Sequence, residues 1–187
     1  VQQLLAFSRK PASGFESVHL GEIVQKAFSL CKLRRQKEGP EMELMLDLAA
    51  EEMNGDSDAL LQLFVNLMLN SLQAAEDTIK VVVASRYDSS NEGQEILVTY
   101  EDNGYGIRQE DRDRVFDPFF TTKDVGEGTG LGLFIVSNIV REHEGHIEVD
   151  PNFQGGTRFI FQFPAGHSGQ TTEQVRQISK NTEGIPS

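Results

Sequence analysis

Apolar residues recur along this chain with two periods, and the changes from one period to the other mark out its elements. The longest unbroken pattern is Asp58 to Ala75, which contains no Gly or Pro and follows the start signal Gly55-Asp56-Ser57-Asp58. It predicts a helix, apolar nearly all the way round and therefore buried. Across it Gln62, Asn66, Asn70 and Gln73 fall at spacings of four, four and three, a polar stripe along one face. A second helix is predicted over Leu20 to Arg35, with Leu20, Ile23, Ala27, Leu30 and Arg34 at helical spacing, and a third over Phe134 to Glu142. Strict alternation predicts a half-buried strand over Glu41 to Leu48, with Met42, Leu44, Leu46 and Leu48 on one face. Ile79 to Ser85 and Glu95 to Glu101 read as a hairpin joined by a polar loop, and His146 to Asp150 with Arg158 to Phe163 as a closing strand pair.

The ends read differently. Val1 to Lys10 has the character of a helix end cut by Pro11, and Ser13-Gly14 that of a hinge. Beyond Ala165 the chain carries few apolar residues and is expected to be a flexible polar tail. Three divisions follow: residues 1–11, residues 12–165 as the folded domain, and residues 166–187. Since the chain opens on Val1 inside a helical pattern, it is expected to be a piece of a longer protein.

Composition narrows the function. The 29 acidic and 17 basic residues give a net charge of −12, which argues against general binding to nucleic acid or anionic membrane. A polyanionic ligand would need a local cationic or backbone-amide site. The lone Cys31 sits within a helical pattern, can form no internal disulfide, and suits a buried structural role in a reducing cytoplasm. No run reaches the roughly 18 to 20 apolar residues of a membrane span, and no signal peptide opens the chain. The expectation is a cytoplasmic domain whose parent is open to anchorage in the inner membrane.

Four segments carry candidate chemistry. The amide stripe is open to two readings: amides satisfied within the core, or the oxygens of Asn66 and Asn70 turned to a hard cation such as Mg2+, which takes substrate phosphates as further ligands. Just past a strand comes Asp102-Asn-Gly104-Tyr-Gly106-Ile107, in form an ordinary turn. A sequestered Asp102 carboxylate accepts only, and adenine offers its N6 amino group where guanine offers an acceptor. Gly104 and Gly106 would let backbone approach a flat base. Val115 to Lys123, VFDPFFTTK, is a Pro-broken aromatic segment, either a core-anchored turn or a lid whose Lys123 reaches phosphate. Gly126-Glu-Gly128-Thr129-Gly130-Leu131-Gly132-Leu133 runs into the third helix and leaves backbone N–H groups for an anion. It lacks the Lys-Ser/Thr of a Walker loop and does not follow a strand, so neither the P-loop nor the dinucleotide fingerprint fits.

In their order, Asn66/Asn70, Asp102-x-Gly104-x-Gly106, Phe116-x-Pro118-Phe119 and Gly128-x-Gly130-x-Gly132 resemble the N, G1, F and G2 boxes of the ATP-binding domain of sensor histidine kinases, in the superfamily that also holds gyrase, Hsp90 and MutL. The resemblance spans about Leu20 to Pro164. Gly155-Gly156-Thr157 is similar to the last glycine box, and LLAFSR near Val1 to the end of the dimerisation and phosphoacceptor domain. It implies an α/β sandwich of the Bergerat type: a mixed, mainly antiparallel sheet covered on one face by helices, with a mobile lid over about Asp117 to Gly130. It further implies ATP and Mg2+ as ligands. Asn70 would be the main metal ligand with Asn66 assisting, Asp102 would hold adenine N6 with Thr157 supporting it through water, and Gly128 to Gly132 would wrap the phosphates. Gln73, Ala74, Ile107, Phe119, Thr121, Thr129, Leu131 and Leu133 complete the implied binding set, and Lys123 joins Asn66 and Asn70 in the catalytic one.

Departures from the pattern matter here. Many members carry Lys where this chain has Gln73, so that phosphate contact is expected to be weaker or to move to Lys123. Where the ATPase branches have a glutamate that activates water, Asn66 cannot take a proton, so hydrolysis should be slow and the phosphoryl group should pass to a histidine. His19, His143, His146 and His167 lack the phosphoacceptor setting, and His143-Glu-Gly-His146 lacks zinc-motif spacing. The acceptor is therefore expected upstream, on the dimerisation domain of the same protein, with the receiver domain of a response regulator as the next acceptor. The fragment itself is expected to be mostly monomeric. Rival readings are an anti-sigma-type serine kinase, which the LLAFSR helix disfavours, and a nucleotide-sensing interaction module without transfer activity.

Overall fold

The structure, a computed structural model, describes residues 14–34, 39–88, 95–123 and 128–165. In chain order its elements are β1 (Glu16–His19), α1 (Leu20–Arg34), β2 (Met42–Leu48), β3 (Glu52–Gly55), α2 (Ser57–Gln73), β4 (Ile79–Asp88), β5 (Glu95–Asp102), a 3-10 turn (Gln109–Asp111), α3 (Gly132–Glu142), β6 (His146–Val149) and β7 (Thr157–Pro164). The helix-end reading of Val1 to Lys10, the polar tail, the start of the hinge and the middle of the lid lie outside the described residues.

Five strands form one sheet in the order β2-β4-β5-β7-β6. Only β2 and β4 run parallel; the other neighbours are antiparallel. Alternation explains which face is covered: along β4, Ile79, Val81, Val83 and Ser85 are buried while their neighbours are not. Those residues join Ile96, Val98 and Tyr100 of β5 and Phe159, Phe161 and Phe163 of β7 in one core with the inner faces of α1, α2 and α3. The result is a mixed, mainly antiparallel sheet with helices on one face.

Helix α2 lies at the centre of that core. Leu60, Leu63, Phe64, Leu67, Met68 and Ser71 are buried along it, as the nearly all-round apolar pattern requires. Asp56 caps it, its Oδ1 accepting from Asp58 N at 2.9 Å and Ala59 N at 3.0 Å. On α1 the buried stripe runs through Leu20, Ile23, Val24, Ala27 and Cys31, whereas Leu30 is 40% exposed. The expected stripe is thus rotated by one position, with Cys31 taking the inward place and its thiol set 4.0 Å from the Val65 carbonyl.

One pairing was not anticipated by the pattern. β1 and β3 form a separate two-stranded antiparallel ribbon, with Val18 opposite Met53. Each strand is four residues long and turns only one side chain inward, Val18 or Met53, too few for alternation to register.

Candidate functional site

Where the C-terminal half of α2, the end of β5 and the start of α3 converge, they enclose a cavity of about 380 Å³. That volume is in the range of small-molecule sites. From the polar stripe, Asn66, Asn70 and Gln73 line it, and Gln62 does not. From the other predicted segments the lining draws Ala74, Asp102, Gly106, Ile107, Thr121 and Lys123, then Gly128, Thr129, Gly130, Gly132, Leu133 and Thr157. Five separate stretches of chain therefore meet at one place.

Asp102 lies at the end of β5 and is only 6% exposed. Its Oδ1 accepts from Gly104 N at 3.0 Å and Thr157 N at 3.3 Å, and its Oδ2 accepts from the Ser71 hydroxyl at 2.6 Å. Thr157 is thus tied to Asp102 directly through its backbone N–H. Gly156, at φ +147°, makes it possible: a Cβ there would stand 1.8 Å from the Asp102 carbonyl oxygen.

Three predicted residues are not in the cavity lining. Gly104 is displaced because its backbone is packed on the end of α2, where a Cβ would meet the Ala74 Cβ at 2.8 Å, and Tyr105 N donates to the Ala74 carbonyl at 3.1 Å. Its smallness ties Asp102 to α2 rather than clearing space for a base. Leu131, the residue before α3, is 7% exposed and belongs to the core, because the helix it starts packs that side inward. Phe119 is 71% exposed, turned outward by its φ of +67°, and the next residue, Phe120, lines the cavity instead. Sequence reasoning also missed Tyr105, Arg108 and Asp111 in the lining. Of these, Asp111 had a local signal: it stands three residues after Arg108, whose Nε donates to it at 2.8 Å.

The lid segment folds back on itself. Phe119 N donates to the Gly130 carbonyl at 2.9 Å, and a Cβ on Gly130, at φ +64°, would fall 2.3 Å from the Phe119 carbonyl carbon. Lys123 Nζ donates to Gln73 Oε1, so the lid is held against α2 at the cavity rim. A lysine in place of Gln73 would set two cations against each other there.

Two features suit a phosphate chain with its metal. Helix α3 begins at Gly132 without a side-chain cap, leaving N-terminal N–H groups at the cavity, and Gly132 abuts Asn70, a Cβ there standing 3.5 Å from its amide atoms. Asn66 Nδ2 is buried with no hydrogen-bond partner, so the fold does not commit this amide to either orientation. Asn66 and Asn70 offer neutral oxygen donors only, a set that fits Mg2+ when phosphate oxygens supply the negative charge.

His143 is not a free phosphoacceptor. It is 3% exposed at the end of α3, its Nε2 accepting from Asp56 N at 3.0 Å and its Nδ1 donating to the Ile139 carbonyl at 2.8 Å.

Against known proteins, the family model described as histidine kinase-, DNA gyrase B-, and HSP90-like ATPase matches residues 55–167, which hold every box of the site. The chain belongs to this ATPase family. Among curated relatives of this family member, it is 32% identical over 173 residues to the signal transduction histidine-protein kinase AtoS of Escherichia coli, covering 92% of this chain and 28% of AtoS. It is 30% identical over 151 residues to sporulation kinase A of Bacillus subtilis, covering 80% of this chain and 24% of that one. The family member thus spans about a quarter of the length of these relatives. Among solved structures, the catalytic domain of histidine kinase ThkA superposes with a TM-score of 0.67 at 27% identity, covering 82% of this chain and 97% of that one. Among the described residues no helix is long and apolar enough to cross a membrane.

Proposed function

We propose that this chain is the catalytic domain of a two-component sensor histidine kinase, binding Mg-ATP in the cavity and passing its γ-phosphoryl group to a histidine on another domain of the same protein. The observation that carries the reading is the single cavity in which an acceptor-only Asp102, the amides Asn66 and Asn70, and the uncapped N-terminus of α3 all converge. An adenine donor, a hard cation and an anion each find a group that suits them, as a nucleoside triphosphate with its metal would require. AtoS and ThkA, both named as histidine kinases, support the same reading.

In this mechanism Asp102 accepts from the adenine N6 amino group, and the glycines from Gly128 to Gly132 wrap the phosphates. Mg2+, held by Asn70 with help from Asn66, would neutralise charge on the transferred group. Lys123 swings from Gln73 to phosphate as the lid closes. Positioning and charge neutralisation supply the rate, since phosphoryl transfer demands little covalent chemistry of the protein. The incoming imidazole nitrogen bonds to the γ-phosphorus, the bond from that phosphorus to the bridging oxygen breaks, and ADP leaves. Asn66 cannot take a proton from water, so the phosphoryl group survives to reach histidine. A response-regulator aspartate would be the next acceptor.

Mixing this chain with the histidine-bearing domain of its own protein and ATP labelled at the γ-phosphate tests the proposal. Acid-labile label on that domain, absent with Asn70→Ala, is expected. Label released only as free phosphate would assign the chain to hydrolysis, and tight nucleotide binding without any transfer would favour a nucleotide-sensing module.

A further inference from the structure

Two side chains that do not line the cavity converge on Asp102, one of the two carboxylates that do. Ser71 and Tyr100 are 1% and 0% exposed, and Ser71 Oγ lies 2.6 Å from Asp102 Oδ2 and 2.9 Å from Tyr100 Oη. The direction of this chain follows from proton counting. The Asp102 carboxylate accepts, the Ser71 hydroxyl has one proton, and that proton goes to Asp102; Tyr100 must then donate to Ser71. Burial holds the Tyr100 phenol well above its ordinary value, so its proton stays in place. Of about four lone-pair positions on a carboxylate, Gly104 N and Thr157 N occupy those on Oδ1 and Ser71 one on Oδ2. One acceptor position on Oδ2 is left for a ligand.

We infer that Ser71 and Tyr100 are positioning residues for base recognition, setting the Asp102 carboxylate so that its remaining acceptor faces an exocyclic amino group. The inference rests on the reading of Asp102 as the adenine contact. Ser71 fixes the carboxylate plane by holding Oδ2 while the two N–H groups hold Oδ1. Tyr100 fixes Ser71 in turn: without the phenol proton on its oxygen, a helical serine is free to bond the carbonyl one turn back, at Leu67. Ser71 is also the immediate neighbour of Asn70 on α2, so the base contact and the cation contact are set by one rigid helix.

The test compares affinities of the full chain for ATP and for purine riboside triphosphate, which differs only in lacking the N6 amino group. Wild type should prefer ATP by roughly tenfold or more, the worth of a hydrogen bond to a charged group. Ser71→Ala should lose most of that preference through weaker ATP binding, with affinity for the deaminated analogue unchanged, and Tyr100→Phe should show a smaller loss in the same direction. General damage to the core would weaken both nucleotides alike, and that result, or an undiminished preference, overturns the inference. Should Ser71→Ala fail to fold because it strands the Tyr100 hydroxyl, the double variant leaves neither hydroxyl unpaired; full wild-type preference in the double variant also overturns it. A wild type that binds both nucleotides equally would instead sink the adenine reading of Asp102, and this inference with it.

Discussion

Replacing His143 by alanine should destabilise the domain far more than a helix-end substitution normally does. In many helices the N–H of the N-cap residue is satisfied by a Glu or Gln at the third helical position. Here that position is Ala59, which cannot reach back, and the Asp56 N–H instead donates to His143 Nε2, 87 residues away in sequence. The alanine removes this bond and the one to the Ile139 carbonyl. It strands the buried Asp56 N–H and empties a space walled by Phe15 and Phe163, whose ring centroids lie 4.8 and 6.2 Å from that of His143. Two hydrogen bonds at about 1 kcal/mol each, with the penalty for an unpaired donor, come to about 3 kcal/mol. For a domain of this size that corresponds to a fall in Tm of roughly 10 °C. The chain has no tryptophan, so urea unfolding is best followed by far-UV circular dichroism. The midpoint should fall with the slope unchanged. A loss under about 1 kcal/mol, the scale of an ordinary surface substitution, would refute the clasp between α3 and α2.

Three further outcomes are expected. Gly130→Ala, forced against the Phe119 backbone at φ +64°, should weaken nucleotide binding while leaving the unfolding midpoint nearly unchanged, because the clash is confined to the lid; parallel binding and melting curves check this. Lys123→Ala should leave the affinity for adenosine unaltered and lower that for ATP, since only the phosphates lose a partner, a difference read by competition binding. The Asp150 carboxyl is held below its usual range, first by the Asn152 N–H at 2.8 Å and then by the Arg158 guanidinium at 3.0 Å. Its contribution is present above the unfolded value and is lost as pH falls through the lower folded one. Asp150→Asn should therefore flatten the decline of stability below about pH 4, as followed by urea midpoints across pH.

What the sequence disclosed and what it hid divide along physical lines. The α2 helix and its amide stripe, the alternating strands and the glycine spacings are local patterns, and all were legible. The β1–β3 ribbon was not, because four-residue strands with a single inward side chain carry no measurable period. On α1, Leu30 and Cys31 both fit helical spacing, and only packing against α2 decides that the cysteine goes inward. Phe119 and Phe120 were indistinguishable until the positive φ of Phe119 sent one ring out and left the other in the cavity lining. Ser71, Tyr100 and His143 act through partners 29 to 87 residues distant, and no spacing rule reaches that far. Tyr100 in particular reads from sequence as an ordinary strand residue.

The central claim is that Asp102 and the Asn66/Asn70 face form one Mg-ATP site, and calorimetric titration of ATP into wild type and Asp102→Ala, each with and without Mg2+, tests it most directly. The account predicts binding by wild type that is strengthened by Mg2+ and lost in the variant. Binding that ignores Mg2+, or that survives Asp102→Ala undiminished, would contradict it.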